Sequence, residues 1–176
     1  MDFSHFSLVE LAAYISDYLQ KNGFDCILSG GACVSIYTEN KYKSYDLDFI
    51  PYFSFDKKKL TEILAKIKFY PYNRYYKNDT TQYFIEFPPP PPAISNYYVS
   101  KSNIIMIKKY NLKLLTASDC VKDRLCSFFY FNDEQCLEQA LLVAKDQKID
   151  IEDVEKWAIN EGEKEIFELF KKRLKQ

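Results

Sequence analysis

The sequence predicts an α+β fold: a mixed sheet flanked by helices over residues 1–115, followed by a C-terminal helical bundle over residues 116–176. Three observations carry this reading. A helical apolar stripe near the N-terminus gives way to a short apolar run and then to an Asp-Leu-Asp alternation. A segment dense in Tyr and Phe, punctuated by turn residues, covers residues 69–87. From Thr116 onward the apolar residues recur only at helical spacing.

Each element follows from local chemistry. Ser7 and Glu10 form a capping box for a first helix, whose stripe is Leu8, Leu11, Ala12, Ile15 and Leu19 and which ends at Gly23. An apolar run at 24–28 reads as a strand, and the pair Gly30-Gly31 opens a short second helix carrying Val34 and Tyr37. Residues 45–50 read as a strand that stops at Pro51. Asp56 caps a third helix with Leu60, Ile63, Leu64 and Ile67 inside, and Lys57, Lys58 and Lys59 form a solvated face on it. Residues 69–87 read as two strands of a hairpin with Asn78-Asp79 as the turn. Pro88 to Pro92 must leave the sheet, because proline cannot donate to a ladder, and reads as a rigid loop over the site more than as a ligand for a partner domain. Residues 104–107 and 112–115 read as two further strands. Four helices follow, starting at Thr116, at Asn132 or Asp133, at Asp150 and after Gly162.

Composition bounds the function classes. The chain has 176 residues, 47% of them hydrophobic, with 15 Tyr and 14 Phe, which marks a folded protein with a real core. The net charge of −1 implies no strong overall field for nucleic acid. Residues 1–115 hold 14 basic and 11 acidic side chains and residues 116–176 hold 10 and 14, so a polyanion is expected on the first part. The five cysteines form no CxxC pair and read as packed, reduced thiols. No leader-like or membrane-spanning stretch is visible, so a soluble, cytoplasmic protein is expected, with no membrane partner. The single His5 reads as a surface side chain, not a catalytic base.

The chemistry concentrates in residues 29–49. On a strand, Asp46 and Asp48 project to one side and Leu47 and Phe49 to the other. Two adjacent carboxylates repel, and a hard divalent cation with oxygen ligands removes that repulsion. The glycine pair lets backbone approach a ligand closely and offers N–H groups to phosphate at a helix start. The bland alternative is a common turn followed by a solvated edge strand.

Gly-Gly, a helix, then Asp-apolar-Asp resembles the nucleotidyltransferase superfamily with the DNA polymerase β type of fold, which makes the expected sheet nucleotidyltransferase-type. Within it, GGACVSIYTENKYKSYDLDF is most similar to the AbiEii-like branch, where a basic residue and a Ser precede the Asp pair, as Lys43 and Ser44 do here. The proline-rich turn after Glu86-Phe87 and the run SDCVKDRL at 118–125 also resemble that branch. The resemblance implies metal-dependent transfer of a nucleoside monophosphate from a nucleoside triphosphate to an RNA end or a protein hydroxyl, in a toxin–antitoxin or phage-defence setting with a partner protein. It implies Mg²⁺ (or Mn²⁺) held by Asp46, Asp48 and a third carboxylate. Glu86 is the candidate for that third place, since no other acid lies on a strand-like run in 80–115. It further implies phosphate contacts from Ser29, Gly30, Gly31, Ser44 and Lys122. Lys122 lies one helical step off the apolar stripe and is expected at the rim of the cleft, against the alternative of a surface lysine paired with Asp119. Arg124, Asp123 and Asp133 rank behind it. Two other readings stay open: a non-catalytic antitoxin or interaction module of the same fold, and a nucleotide-binding regulator.

Overall fold

The computed structural model describes residues 2–176. Helix α1 (Leu8–Lys21) is closed at its start by the capping box, in which Ser7 Oγ accepts from Glu10 N and the Glu10 carboxylate accepts from Ser7 N. Strand β1 (Cys26–Ser29) runs straight into α2 (Gly30–Tyr37). Strand β2 (Asp46–Pro51) precedes α3 (Lys57–Lys66), which Asp56 caps through the N–H groups of Lys58 and Lys59.

Three short strands follow, β3 (Tyr70–Tyr72), β4 (Tyr75–Lys77) and β5 (Phe84–Glu86), where the sequence predicts two. The additional reversal lies at Asn73-Arg74, with Asn73 in the left-handed region at φ 54°. Asn78-Asp79 sits in the loop between β4 and β5. There the Asn78 side chain donates to Ile67 O and Lys68 O and accepts from Thr80, a buried turn scaffold. The proline run leads into a two-residue-per-strand hairpin, β6 (Ala93–Ile94) and β7 (Tyr97–Tyr98), which the sequence does not reveal. Strands β8 (Asn103–Ile107) and β9 (Tyr110–Leu114) form the expected pair. The helices α4 (Ala117–Phe131), α5 (Glu134–Asp146), α6 (Ile151–Asn160) and α7 (Lys164–Leu174) start after the caps Thr116, Asp133, Asp150 and Glu163.

The main sheet has seven strands in the order β3-β4-β5-β2-β1-β9-β8. It is mixed: β2–β5 and β1–β9 are parallel, and the remaining neighbours are antiparallel. Strand β2 alternates, with Leu47 and Phe49 buried and Asp46, Asp48 and Ile50 half-buried. Its buried face continues through Ile85 and Tyr76, and the Tyr76 hydroxyl lies 2.9 Å from Thr61 of α3. Helices α1 and α3 cover that face and are tied together where Tyr18 OH donates to Ile63 O. Helix α2 and the C-terminal helices pack with one another beside the sheet.

The junction at residues 115 and 116 is short and fastened on both sides. Leu115 N donates to Leu28 O, and Tyr37 OH donates to Leu115 O. One continuous apolar cluster runs across it, from Leu28 and Val34 to Val121, Leu137 and Trp157. Burial at the common rate of about 25 cal/mol per Å² makes this shared core the main force joining sheet and bundle. Among the described residues no helix is long and apolar enough to cross a membrane. All five cysteines are free, and all but Cys126 are buried.

Candidate active site

Strand β1 ends at Ser29, extended at φ −132°, and the chain turns through Gly30 at φ +68° into α2. Ser29 is the ladder partner of Asp48. A Cβ placed on Gly30 would stand 2.2 Å from Asp48 Oδ2, so the carboxylate occupies the space a side chain would fill. Gly30 is therefore required twice, for its left-handed backbone and for the approach of Asp48. Gly31 is also close-packed, since a Cβ there would meet Ser44 Oγ at 3.2 Å. The first turn of α2 has no acidic residue, and Ser29 makes no side-chain cap, which leaves helix-start N–H groups free of a side-chain acceptor from that residue.

The carboxylates line up across the sheet. Asp48 is the register partner of Glu86, and Asp46 is the partner of Phe84. Direct partners share a face, so Asp46, Asp48 and Glu86 stand on one side, opposite the buried Leu47 and Ile85. Asp48 feels the crowding: burial, then Glu86, Asp123 and Asp46, push its carboxyl up from 3.8 to about 7, against a smaller pull from Arg124. Glu86 has an ionic neighbour in Arg74, whose Nε lies 3.5 Å from Oε1.

The predicted phosphate contacts fare unequally. Ser29, Gly30, Gly31 and Ser44 gather with Asp46 and Asp48. Both hydroxyls already have work, however. Ser29 Oγ donates to Asp48 O at 3.3 Å, and Ser44 Oγ donates to Asp46 O and accepts from Asp46 N. Ser44 N also donates to Ser35 Oγ, so Ser44 fastens the start of β2 to α2. Lys122, expected at an exposed rim, is instead fully buried. Its ammonium meets Asp153 at 2.6 Å and Asp119 at 3.2 Å and lies 4.1 Å from the centre of the Tyr97 ring. Burial works against its charge, and the two carboxylates outweigh burial, so its pKa rises above the ordinary lysine value. The helical wheel shows that Lys122 leaves the stripe but not that α6 and the β7 hairpin close over it.

The next turn of the wheel, Asp123 and Arg124, reaches the Asp48 environment instead. Arg124 grips Asp123 through Nε at 3.0 Å and Nη2 at 2.6 Å, and reaches Gln139 of α5 at 3.3 Å. The sequence holds a signal for this pair only in its place on the same helix, beside Lys122. Asp133, also named from the sequence, caps α5 and accepts from Gln135 N.

The donor set fits a hard divalent cation in kind: three carboxylates on one face, one of them with its pKa raised by burial and then by the neighbouring acids. It is not a preformed cage, since among the described residues no three His, Cys, Asp or Glu side chains stand together as a metal site.

No protein-family model matches the chain, and no curated protein matches it. Solved structures do. An antigenic nucleotidyltransferase-like protein from Paracoccidioides brasiliensis superposes with a TM-score of 0.60 at 14% identity, over 77% of this chain and 74% of that one. The antibiotic-resistance factor ANT(2'')-Ia, solved in solution, superposes with a TM-score of 0.56 at 12% identity, over 99% of this chain and 97% of that one. The chain has a nucleotidyltransferase fold. The likeness to the resistance factor extends over both the sheet and the C-terminal helices, since nearly the whole of each chain is covered.

Proposed function

We propose that this protein is a metal-dependent nucleotidyltransferase that moves a nucleoside monophosphate from a nucleoside triphosphate to a hydroxyl on an RNA end or a protein. The observation that supports it most is the seating of Asp48 against Gly30, between Asp46 and Glu86. Asp46, Asp48 and Glu86 would hold Mg²⁺ or Mn²⁺, which when bound supplies positive charge to offset the phosphates and the carboxylates alike. The backbone N–H groups at the start of α2 bind the terminal phosphates, and Gly30 lets the Asp48 carboxylate stand against that helix start. The acceptor oxygen forms a bond to the α-phosphorus, the bond to the bridging oxygen breaks, and pyrophosphate leaves with the electron pair. Glu86, towards the open side of the row, takes the hydroxyl proton. Ser44 positions Asp46, and Lys122 holds α4, α6 and the β7 hairpin together instead of touching phosphate.

The order Gly-Gly, Lys43-Ser44, Asp-x-Asp supports placement in the AbiEii-like branch, and with it a toxin–antitoxin or phage-defence role beside a partner protein in the cytoplasm. A non-catalytic module of the same fold is the second reading, favoured by the Arg74–Glu86 pair and by carboxylates that are not gathered as a cage. Transfer of an α-³²P-labelled nucleotide in the presence of Mg²⁺, onto RNA or protein of a cell extract, separates the two. Asp48→Asn and Glu86→Gln are each expected to lower transfer at least about 100-fold, the scale of losing one preorganised charge contact. Equal label incorporation by the variants would exclude this site.

A further inference from the structure

The β6–β7 hairpin and α6 enclose a cleft that none of the three sheet carboxylates lines. Asp153, Lys156, Trp157 and Asn160 recur at the i, i+3, i+4, i+7 spacing and so share one face of α6, while Val154 and Ala158 of the same helix are buried in the core. Asn96 and Tyr97 of the hairpin and Glu161 after α6 complete the lining, around a volume of about 270 Å³. Two side chains of α4 tie the walls together. Lys122 Nζ reaches Asp153 at 2.6 Å and lies 4.1 Å from the centre of the Tyr97 ring. Tyr130 OH donates to Glu161 at 2.9 Å and accepts from Ser95 Oγ at 3.1 Å. The hairpin is thus fastened to α6 twice. One polar atom of the lining is unsatisfied: Trp157 is 4% exposed, and its Nε1 has no hydrogen-bond partner among the described residues. A buried donor left unpaired is costly, and folded proteins seldom carry one that nothing meets.

The chemistry of the lining selects the ligand. Lys122 offsets Asp153, and Lys156, which has no ion-pair partner among the described residues, offsets Glu161, so the cleft favours neither a polyanion nor a polycation. An apolar ligand would strand the amides, the carboxylates and the indole N–H. The carboxylates only accept, the indole and the ammonium only donate, and the amides of Asn96 and Asn160 do both. A hydroxyl is the one neutral group that answers all three. Tyr97 and Trp157 add apolar ring bodies for the C–H face of a small ring. The volume lies just under the range of about 300–1,000 Å³ usual for ligand pockets, enough for one ring and too little for a chain of them.

We propose that this cleft binds one neutral sugar ring, with Trp157 Nε1 donating to one hydroxyl and Asp153, Glu161, Asn96 and Asn160 sharing the others. The ring comes from a free monosaccharide or from the ribose of a nucleoside, which present the same hydroxyl chemistry. The site does not depend on the transfer reading of Asp46, Asp48 and Glu86.

Trp157 is the single tryptophan of the chain, so its emission reports this cleft directly. The full chain is titrated with D-ribose, D-glucose, adenosine and uridine, none of which carries phosphate, and with inorganic phosphate and spermidine as charged comparisons. A saturable emission change is expected with at least one sugar or nucleoside, with a Kd on the order of 1 mM, the scale for one small ring. Free sugars that bind as well as nucleosides identify the monosaccharide source, and binding confined to nucleosides identifies the ribose. Asn160→Ala, read by the same emission, and Trp157→Phe, read by saturation-transfer NMR, are each expected to raise that Kd by about 5-fold or more, the scale of one lost hydrogen bond. Trp157→Phe removes only a donor that has no partner and keeps the ring body, so its thermal unfolding should match wild type without ligand and lack the rise that the sugar gives wild type. No saturable response to any sugar or nucleoside overturns the proposal. So does binding that both variants leave unchanged, which would lie elsewhere, and so does a stronger response to phosphate or spermidine, which would refute the charge argument.

Discussion

Asp48→Asn should make the metal-free protein more stable while making it inactive. In the folded chain the carboxyl of Asp48 is carried from 3.8 to about 7, first by burial and then by Glu86, Asp123 and Asp46. The folded state therefore binds this proton more tightly than the unfolded state does. The penalty on the ionised form is absent below 3.8, grows as pH rises from there to about 7, and is then constant. At 1.36 kcal/mol per tenfold preference, it reaches about 4 kcal/mol near pH 8 and about 1.5 kcal/mol near pH 5. Asparagine keeps the shape and has no charge to lose. For a chain of this size about 4 kcal/mol corresponds to roughly a 10 °C change in Tm. Thermal unfolding with EDTA, followed by circular dichroism at both pH values, reads the gap directly. The variant should lead clearly near pH 8 and only slightly near pH 5, and Mg²⁺ should raise the Tm of wild type but not of the variant. A variant no more stable than wild type near pH 8 with EDTA would refute the argument that burial and the neighbouring acids penalise the Asp48 carboxylate.

Two further substitutions probe the scaffold. Gly30→Ala puts a methyl at φ +68° and 2.2 Å from Asp48 Oδ2; the backbone term alone is about 1–2 kcal/mol, so urea denaturation should show at least that loss, with transfer lost as well because the carboxylate must move. Lys122→Met leaves buried Asp119 without its cation and should lower stability by about 3–5 kcal/mol in the same assay, whereas a surface lysine would change it by less than about 1 kcal/mol.

The readable parts of this chain are those fixed by neighbours in sequence. The caps at Ser7, Asp56, Thr116, Asp133 and Asp150 work through N–H groups two or three residues away, and each helix begins where its cap says. The Asp46/Asp48 alternation is likewise local, and Leu47 and Phe49 point into the core as that period requires. Glu86 could be placed on a strand from its alternation, but its partnership with Asp48 depends on β5 crossing to lie parallel to β2, which no local pattern encodes. Lys122 shows the limit most plainly. Its offset from the apolar stripe is visible in the sequence, whereas Asp153 and Tyr97, which enclose it, arrive from elements 31 and 25 positions away. The β3–β4 reversal is hidden because strands of three residues carry too few alternations to mark their ends.

The fastening at Leu115 bears on how the sheet and the bundle are joined. With its N–H held by Leu28 and its carbonyl held by Tyr37, the passage from the last strand to the first bundle helix has no slack residue to act as a hinge. Sheet and bundle are thus joined through a passage pinned on both sides. Removing the Tyr37 hydroxyl would therefore loosen the seat of α4, the helix that carries Asp123 and Arg124 towards Asp48.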